Sequence, residues 1–87
     1  MTHVLVRHNV ADFAKWKPVY DAHLAARQKA GLREKNLLRS ADNPNEVVLL
    51  FSLEDLKRAQ AFAESSDLRE AMQKAGVVGK PDILFLS

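Results

Sequence analysis

Glu46-Val47-Val48-Leu49-Leu50-Phe51-Ser52 is the stretch that decides the fold. Side chains alternate across a strand. Val47, Leu49 and Phe51 therefore share one face, and Val48 and Leu50 share the other. Both faces are apolar. Ile83-Leu84-Phe85-Leu86 repeats the pattern, and Val4-Leu5-Val6 does so more briefly. A sheet built from these strands must be covered on both sides. The helices that 87 residues can supply cover only one. The other side calls for a second copy of the chain or a partner.

Working outward, the first strand is expected from His3 to His8, followed by a short loop at Asn9-Val10-Ala11. Asp12 is a good N-cap. A helical pattern then runs to Ala30, and Gly31 is its C-terminal stop. Pro18 lies inside that pattern and predicts a break near Lys17, because proline cannot donate to the carbonyl one turn earlier. Leu32 to Ser40 reads as a second strand. Ala41-Asp42-Asn43-Pro44-Asn45 is a dense turn signal, which makes a hairpin with the strand from Glu46 to Ser52. Ser52-Leu53-Glu54-Asp55 resembles a capping box opening a second helix. Ser65-Ser66-Asp67 supplies a fresh cap, so this helix is expected to break and restart, ending at Ala75 before Gly76. Gly79-Lys80-Pro81 reads as a loop before the last strand, Ile83 to Leu86.

The order β-α-β-β-α-β, with the second helix split, predicts a single α+β domain of the ferredoxin-like kind. Right-handed crossovers place both helices on one face of a four-stranded antiparallel sheet. Strand order 4-1-3-2 puts the doubly apolar first and third strands in the centre. Arg33, Glu34, Lys35 and Arg39 fall on the second strand, where charge protects an edge from stray pairing.

Net charge is +2, from 13 basic and 11 acidic residues that are interspersed. This is a mixed solvated surface and not a nucleic-acid footprint. There are no cysteines, so thiol catalysis, thiolate metal sites and disulfides are excluded. No apolar stretch approaches the ~18–20 residues of a membrane helix. A cytoplasmic protein is expected, with no nucleic-acid or membrane partner.

Asp12-Phe13-Ala14-Lys15-Trp16-Lys17-Pro18-Val19-Tyr20-Asp21 resembles the first-helix segment of the dimeric α+β barrel superfamily, in particular its antibiotic-biosynthesis-monooxygenase-like small proteins. Ala61-Phe62-Ala63-Glu64-Ser65-Ser66-Asp67-Leu68-Arg69-Glu70-Ala71-Met72 with Ala75-Gly76-Val77 resembles their second-helix segment. The resemblance implies a homodimer in which two sheets pack face to face, closing an α+β barrel. It also permits a small-ligand pocket in each subunit between helices and sheet. Members include cofactor-free oxygenases, isomerases and haem enzymes, so the likeness does not settle a reaction.

On a helical wheel Phe13, Trp16, Tyr20, His23, Leu24 and Arg27 form one stripe. Its later half is polar at the tips. His23 can exchange a proton near neutral pH. Arg27 can hold an enolate, phenolate or carboxylate, and Tyr20 can orient it. His23, Tyr20 and Arg27 are thus the candidate catalytic residues, and Phe13, Trp16 and His8 the candidate substrate-binding ones. The plainer reading is an amphipathic core helix whose polar tips reach solvent, with Arg27 favoured electrostatically near a helix C-terminus. His8 shares a strand face with Val4 and Val6, as a pocket residue or as a satisfied structural histidine. His3 and His8 lie an odd number apart and point to opposite faces, so they cannot chelate one metal. No zinc spacing and no glycine-rich phosphate loop is present. Neither a metal nor a cofactor is expected.

The same topology serves RNA-recognition domains, but the central strands lack their aromatics. Two functions remain. One is a small dimeric enzyme, a cofactor-independent oxygenase or related isomerase or cyclase acting on a small organic molecule. The other is a non-catalytic dimeric ligand-binding or stress-associated protein. A ligand-sized cavity between the first helix and the sheet would favour the enzyme.

Overall fold

A computed structural model describes residues 2–86. Its elements run β1 (His3–Val10), α1 (Phe13–Ala22), α2 (Leu24–Lys29), β2 (Leu32–Arg39), β3 (Glu46–Leu53), α3 (Leu56–Ala63), α4 (Ser66–Ala75) and β4 (Val77–Leu86). The strands form one four-stranded sheet in the order β2-β3-β1-β4, all neighbours antiparallel. This is the expected ferredoxin-like order, with the doubly apolar β1 and β3 in the centre.

The register divides the sheet into two faces. Val4 pairs with Phe51 and Phe85, and Val6 with Leu49 and Ile83. These residues face the helices and form most of the core with Trp16, Tyr20 and Ala59. On the opposite face Leu5 pairs with Leu50 and Leu84, and His3 with Ser52 and Leu86. Among the described residues no helix covers that face. Leu38, Val78, Leu84 and Leu86 stand on it and are exposed.

Local signals account for the helix ends. The Asp12 carboxylate accepts from the Ala14 N–H and caps α1. Asp55 accepts from the Lys57 and Arg58 N–H groups and caps α3. Ser65 accepts from the Leu68 N–H and starts α4, so the second helix splits where its second cap lies. Gly76 ends α4 with a positive φ of 81°, a conformation that costs glycine little. The expected cap at Ser52 is displaced, because β3 continues through Leu53.

Three expectations are corrected. The first helix passes unbroken through Lys17-Pro18 and stops instead at His23. Proline costs one backbone bond, and the burial of Trp16 and Tyr20 on either side of it holds the helix to the sheet. At His23 the backbone leaves helical geometry (φ −91°, ψ 9°). The turn that follows carries Leu24 out of the apolar stripe, where it is 49% exposed. Second, Asn9 and Val10 belong to β1, with Val10 buried. Third, Gly79-Lys80-Pro81 is no loop but a bulge inside β4. Arg7 pairs with Asp82 and Asn9 with Val78, so three residues of β4 oppose His8 alone. Pro81 is tolerated because β4 is an edge strand, and Gly79 takes the positive φ the bulge requires.

No helix among the described residues is long and apolar enough to cross a membrane.

Candidate functional site

A row of stacked planar groups runs along α1 and sets the geometry of the site. The Phe13 and Trp16 rings stack with centroids 5.5 Å apart, and Trp16 and Tyr20 stack at 4.7 Å. Guanidinium groups close both ends. Arg39 lies 3.9 Å from the Phe13 centroid and Arg27 3.7 Å from the Tyr20 centroid. The i, i+3, i+4 spacing on α1 makes the row possible, and each cation meets the negative face of an aromatic ring.

The break at His23 explains Arg27. The Tyr20 carbonyl sits in the last turn of α1. It accepts from the His23 N–H at 3.1 Å and from Arg27 Nη1 at 2.7 Å. Arg27, from α2, therefore caps the C-terminus of α1, where a positive charge also meets the favourable end of the α1 dipole. The side chain is buried as a result.

Tyr20 is committed as well. Its hydroxyl donates to Glu34 Oε1 at 2.5 Å. Burial raises the phenol pKa well above its usual value, and the bond to the Glu34 carboxylate raises it further. Ionisation would set two anions side by side. Tyr20 thus keeps its proton. By sequence alone Glu34 reads only as edge protection. It reaches Tyr20 because its register position opposite Phe51 places it on the helix face of β2, where it stays exposed.

Beneath the row, between the helices and the sheet, lies a cavity. About 90 Å³ of it is open to the centres of water-sized molecules, several times the ~10–15 Å³ that one buried water needs. Its floor is Val4, Val6, Leu49, Phe51, Ile83 and Phe85. Its roof includes Ala59 and Ala63 of α3 and Ala71 and Ala75 of α4. The i, i+4 alanine pairs leave the room, and that small-residue spacing was the legible signal for them. His8, Trp16, Tyr20, His23 and Arg27 all line the cavity, so five of the six candidate residues are brought together. Phe13 is not on the wall; it backs Trp16 from outside, between that ring and Arg39.

The two cavity histidines differ. His23 sits at the α1–α2 junction with its ring stacked on Phe62, centroids 5.9 Å apart. His8 stands on central strand β1, 5% exposed, with its ring edge toward Trp16 at 5.6 Å. Burial lowers its pKa below the usual histidine value, an effect its own backbone opposes in part. Its Nδ1 has no hydrogen-bond partner among the described residues. No group of three or more His, Asp or Glu side chains converges on a metal-sized site among those residues.

Comparison with solved structures follows the same architecture across nearly the whole chain. A proposed antibiotic biosynthesis monooxygenase from Bordetella bronchiseptica superposes with a TM-score of 0.79 at 16% identity, covering 99% of this chain and 94% of that one. The fold is that of the antibiotic biosynthesis monooxygenases. A second proposed monooxygenase of this fold, from Caulobacter crescentus CB15, gives a TM-score of 0.70 at 22% identity, covering 98% and 86% of the two chains. SnoaB, a cofactor-independent oxygenase from Streptomyces nogalater, gives 0.70 at 19% identity over 99% and 90%. At these identities the likeness to the monooxygenases is one of fold. No protein-family model matches the sequence, and no curated protein matches it significantly.

Proposed function

We propose that the protein is a homodimer that binds a small organic molecule between its helices and sheet and acts on it as a cofactor-independent oxygenase or a related isomerase or cyclase. The observation that carries this reading is the cavity itself. Its wall is mostly apolar, and its titratable side chains are confined to His8, Tyr20, His23 and Arg27. Such a pocket suits a mostly apolar molecule with an acidic carbon or phenol proton. An imidazole removes that proton. The resulting carbanion gives an electron pair to dioxygen, and the hydroperoxide loses water to leave a carbonyl, so R₂CH₂ and O₂ become R₂C=O and H₂O. SnoaB, with the same fold, is a cofactor-independent oxygenase, which supports oxygen chemistry over the other reactions.

His23 is the proposed base. Arg27 and Tyr20 enter through their positions, since each already holds a partner within the protein. That engagement favours the second reading, a non-catalytic ligand-binding dimer. Dioxygen uptake separates the two. Metal-free protein should consume oxygen only when a suitable 1,3-dicarbonyl or phenolic compound is added, and His23→Ala should lower the rate by about 10²-fold. Compounds that bind without oxygen uptake or conversion would leave the binding reading ahead.

A further inference from the structure

His8 Nδ1 is the sole buried side-chain nitrogen or oxygen without a hydrogen-bond partner among the described residues. A buried polar atom left unpaired is costly. The fold nevertheless holds this one in place. His8 lies on a central strand, paired with Val47 across β3 and opposite the β4 bulge. The ring reaches the cavity between helices and sheet.

We propose that His8 is the residue through which the cavity recognises its ligand, by a hydrogen bond to a hydroxyl group. This rests on the pocket reading above. Three observations point to a neutral hydroxyl. The imidazole is enclosed by apolar groups: Val6 and Val10 flank it on β1, Val47 lies across from it, and Trp16 meets its edge. Such surroundings disfavour a charged ring, so the contact is to an uncharged imidazole. A neutral imidazole carries one donor and one acceptor, and a hydroxyl can serve either. A resident water is a poor substitute, because a buried water needs two to four polar partners. Of the cavity's other polar groups, the Tyr20 hydroxyl is taken by Glu34, and Arg27 is bound to the Tyr20 carbonyl. His23 stacks on Phe62, at the helix junction.

The test uses an isosteric pair, p-cresol and p-xylene, which differ by a hydroxyl in place of a methyl. Trp16 is the only tryptophan and lies in the cavity wall, so its fluorescence, excited at wavelengths the probes do not absorb, reports occupancy. Wild-type protein should bind p-cresol about five- to tenfold more tightly than p-xylene. In His8→Phe that preference should be lost or reversed, with p-xylene still bound. In wild type, the His8 imidazole ¹⁵N resonances should shift with p-cresol and not with p-xylene, a readout that survives if the variant misfolds. Equal binding of both probes by wild type, or an unchanged preference in folded His8→Phe, overturns the role of His8 and leaves the pocket intact. Failure of both probes to bind wild type overturns both the role and the pocket.

Discussion

The two faces of the sheet are built from the same strands and much the same residues, yet they meet opposite fates. On the helix side Val4, Val6, Leu49 and Phe51 are buried under α1 and the α3–α4 pair. On the other side Leu84 and Leu86 remain open, 53% and 43% exposed. That open face also carries an ion-pair group on central β1: Arg7 pairs with Asp82 at 3.0 Å and approaches Glu46 at 4.0 Å. The helix side stores its unmet polar demand inside, at His8. The open side ties its charges into ion pairs and leaves leucines of edge strand β4 exposed. One face is thus suited to hold a small molecule and the other to meet a flat apolar surface. Neither role can move to the other face, because a one-residue slip would exchange every side chain.

The comparison breaks most severely at Trp16, which touches His8, Phe13 and Tyr20. Trp16→Ala should cost about 3–5 kcal/mol in denaturant unfolding. A loss under about 1 kcal/mol would show that the stacked row does not organise the helix side. The open face is tested by Leu84→Lys. If that face joins two copies, the charge buried there should weaken the dimer by about 10²-fold or more, seen as a shift to monomer in multi-angle light scattering. The variant should leave monomer stability nearly unchanged, since Leu84 is half exposed. Unaltered mass at micromolar concentration would place the interface elsewhere.

Arg27→Met gives a smaller effect. It keeps the stem and removes the cap on the Tyr20 carbonyl, so a loss of about 1–2 kcal/mol is expected. Amide exchange should speed first at His23 and Leu24, the junction it holds. The smallest effect is the pH dependence of His8. Its folded pKa lies below the unfolded value of 6.5, so the unfolded chain binds the extra proton first. Stability from this group is therefore complete above about pH 6.5 and falls as the pH drops toward the folded pKa. His8→Phe should flatten the unfolding profile in that interval and leave the profile above pH 7 unaltered. Identical slopes for variant and wild type below pH 6.5 would show that His8 titrates as freely in the fold as out of it.

Much of this was legible in the chain. Alternation in Glu46–Ser52 required a sheet with two apolar faces. Asp12, Ser65 and Gly76 marked helix ends by local hydrogen bonding and glycine's freedom, and the structure uses each of them. Trp16, Tyr20, His23 and Arg27 share a stripe by helical spacing alone, and the stripe lies on the cavity. Other features depend on contacts between distant residues. Pro18 is a breaker by local rules, yet the helix passes through it because Trp16 and Tyr20 are anchored to the sheet. The stop at His23 carries no glycine or proline signal in the sequence, and the Tyr20 carbonyl there is capped by Arg27. Glu34 looked like edge charge, and only its pairing opposite Phe51 shows that it reaches Tyr20. The bulge at Gly79-Lys80-Pro81 exists because β4 stays paired to β1 on both sides of it. Local chemistry determined which elements form and which faces are apolar, since those follow from neighbours along the chain. Which polar tips are satisfied and which is left free in the cavity was decided by tertiary packing, because a hydrogen bond needs its partner within about 3 Å and sequence spacing does not measure that distance.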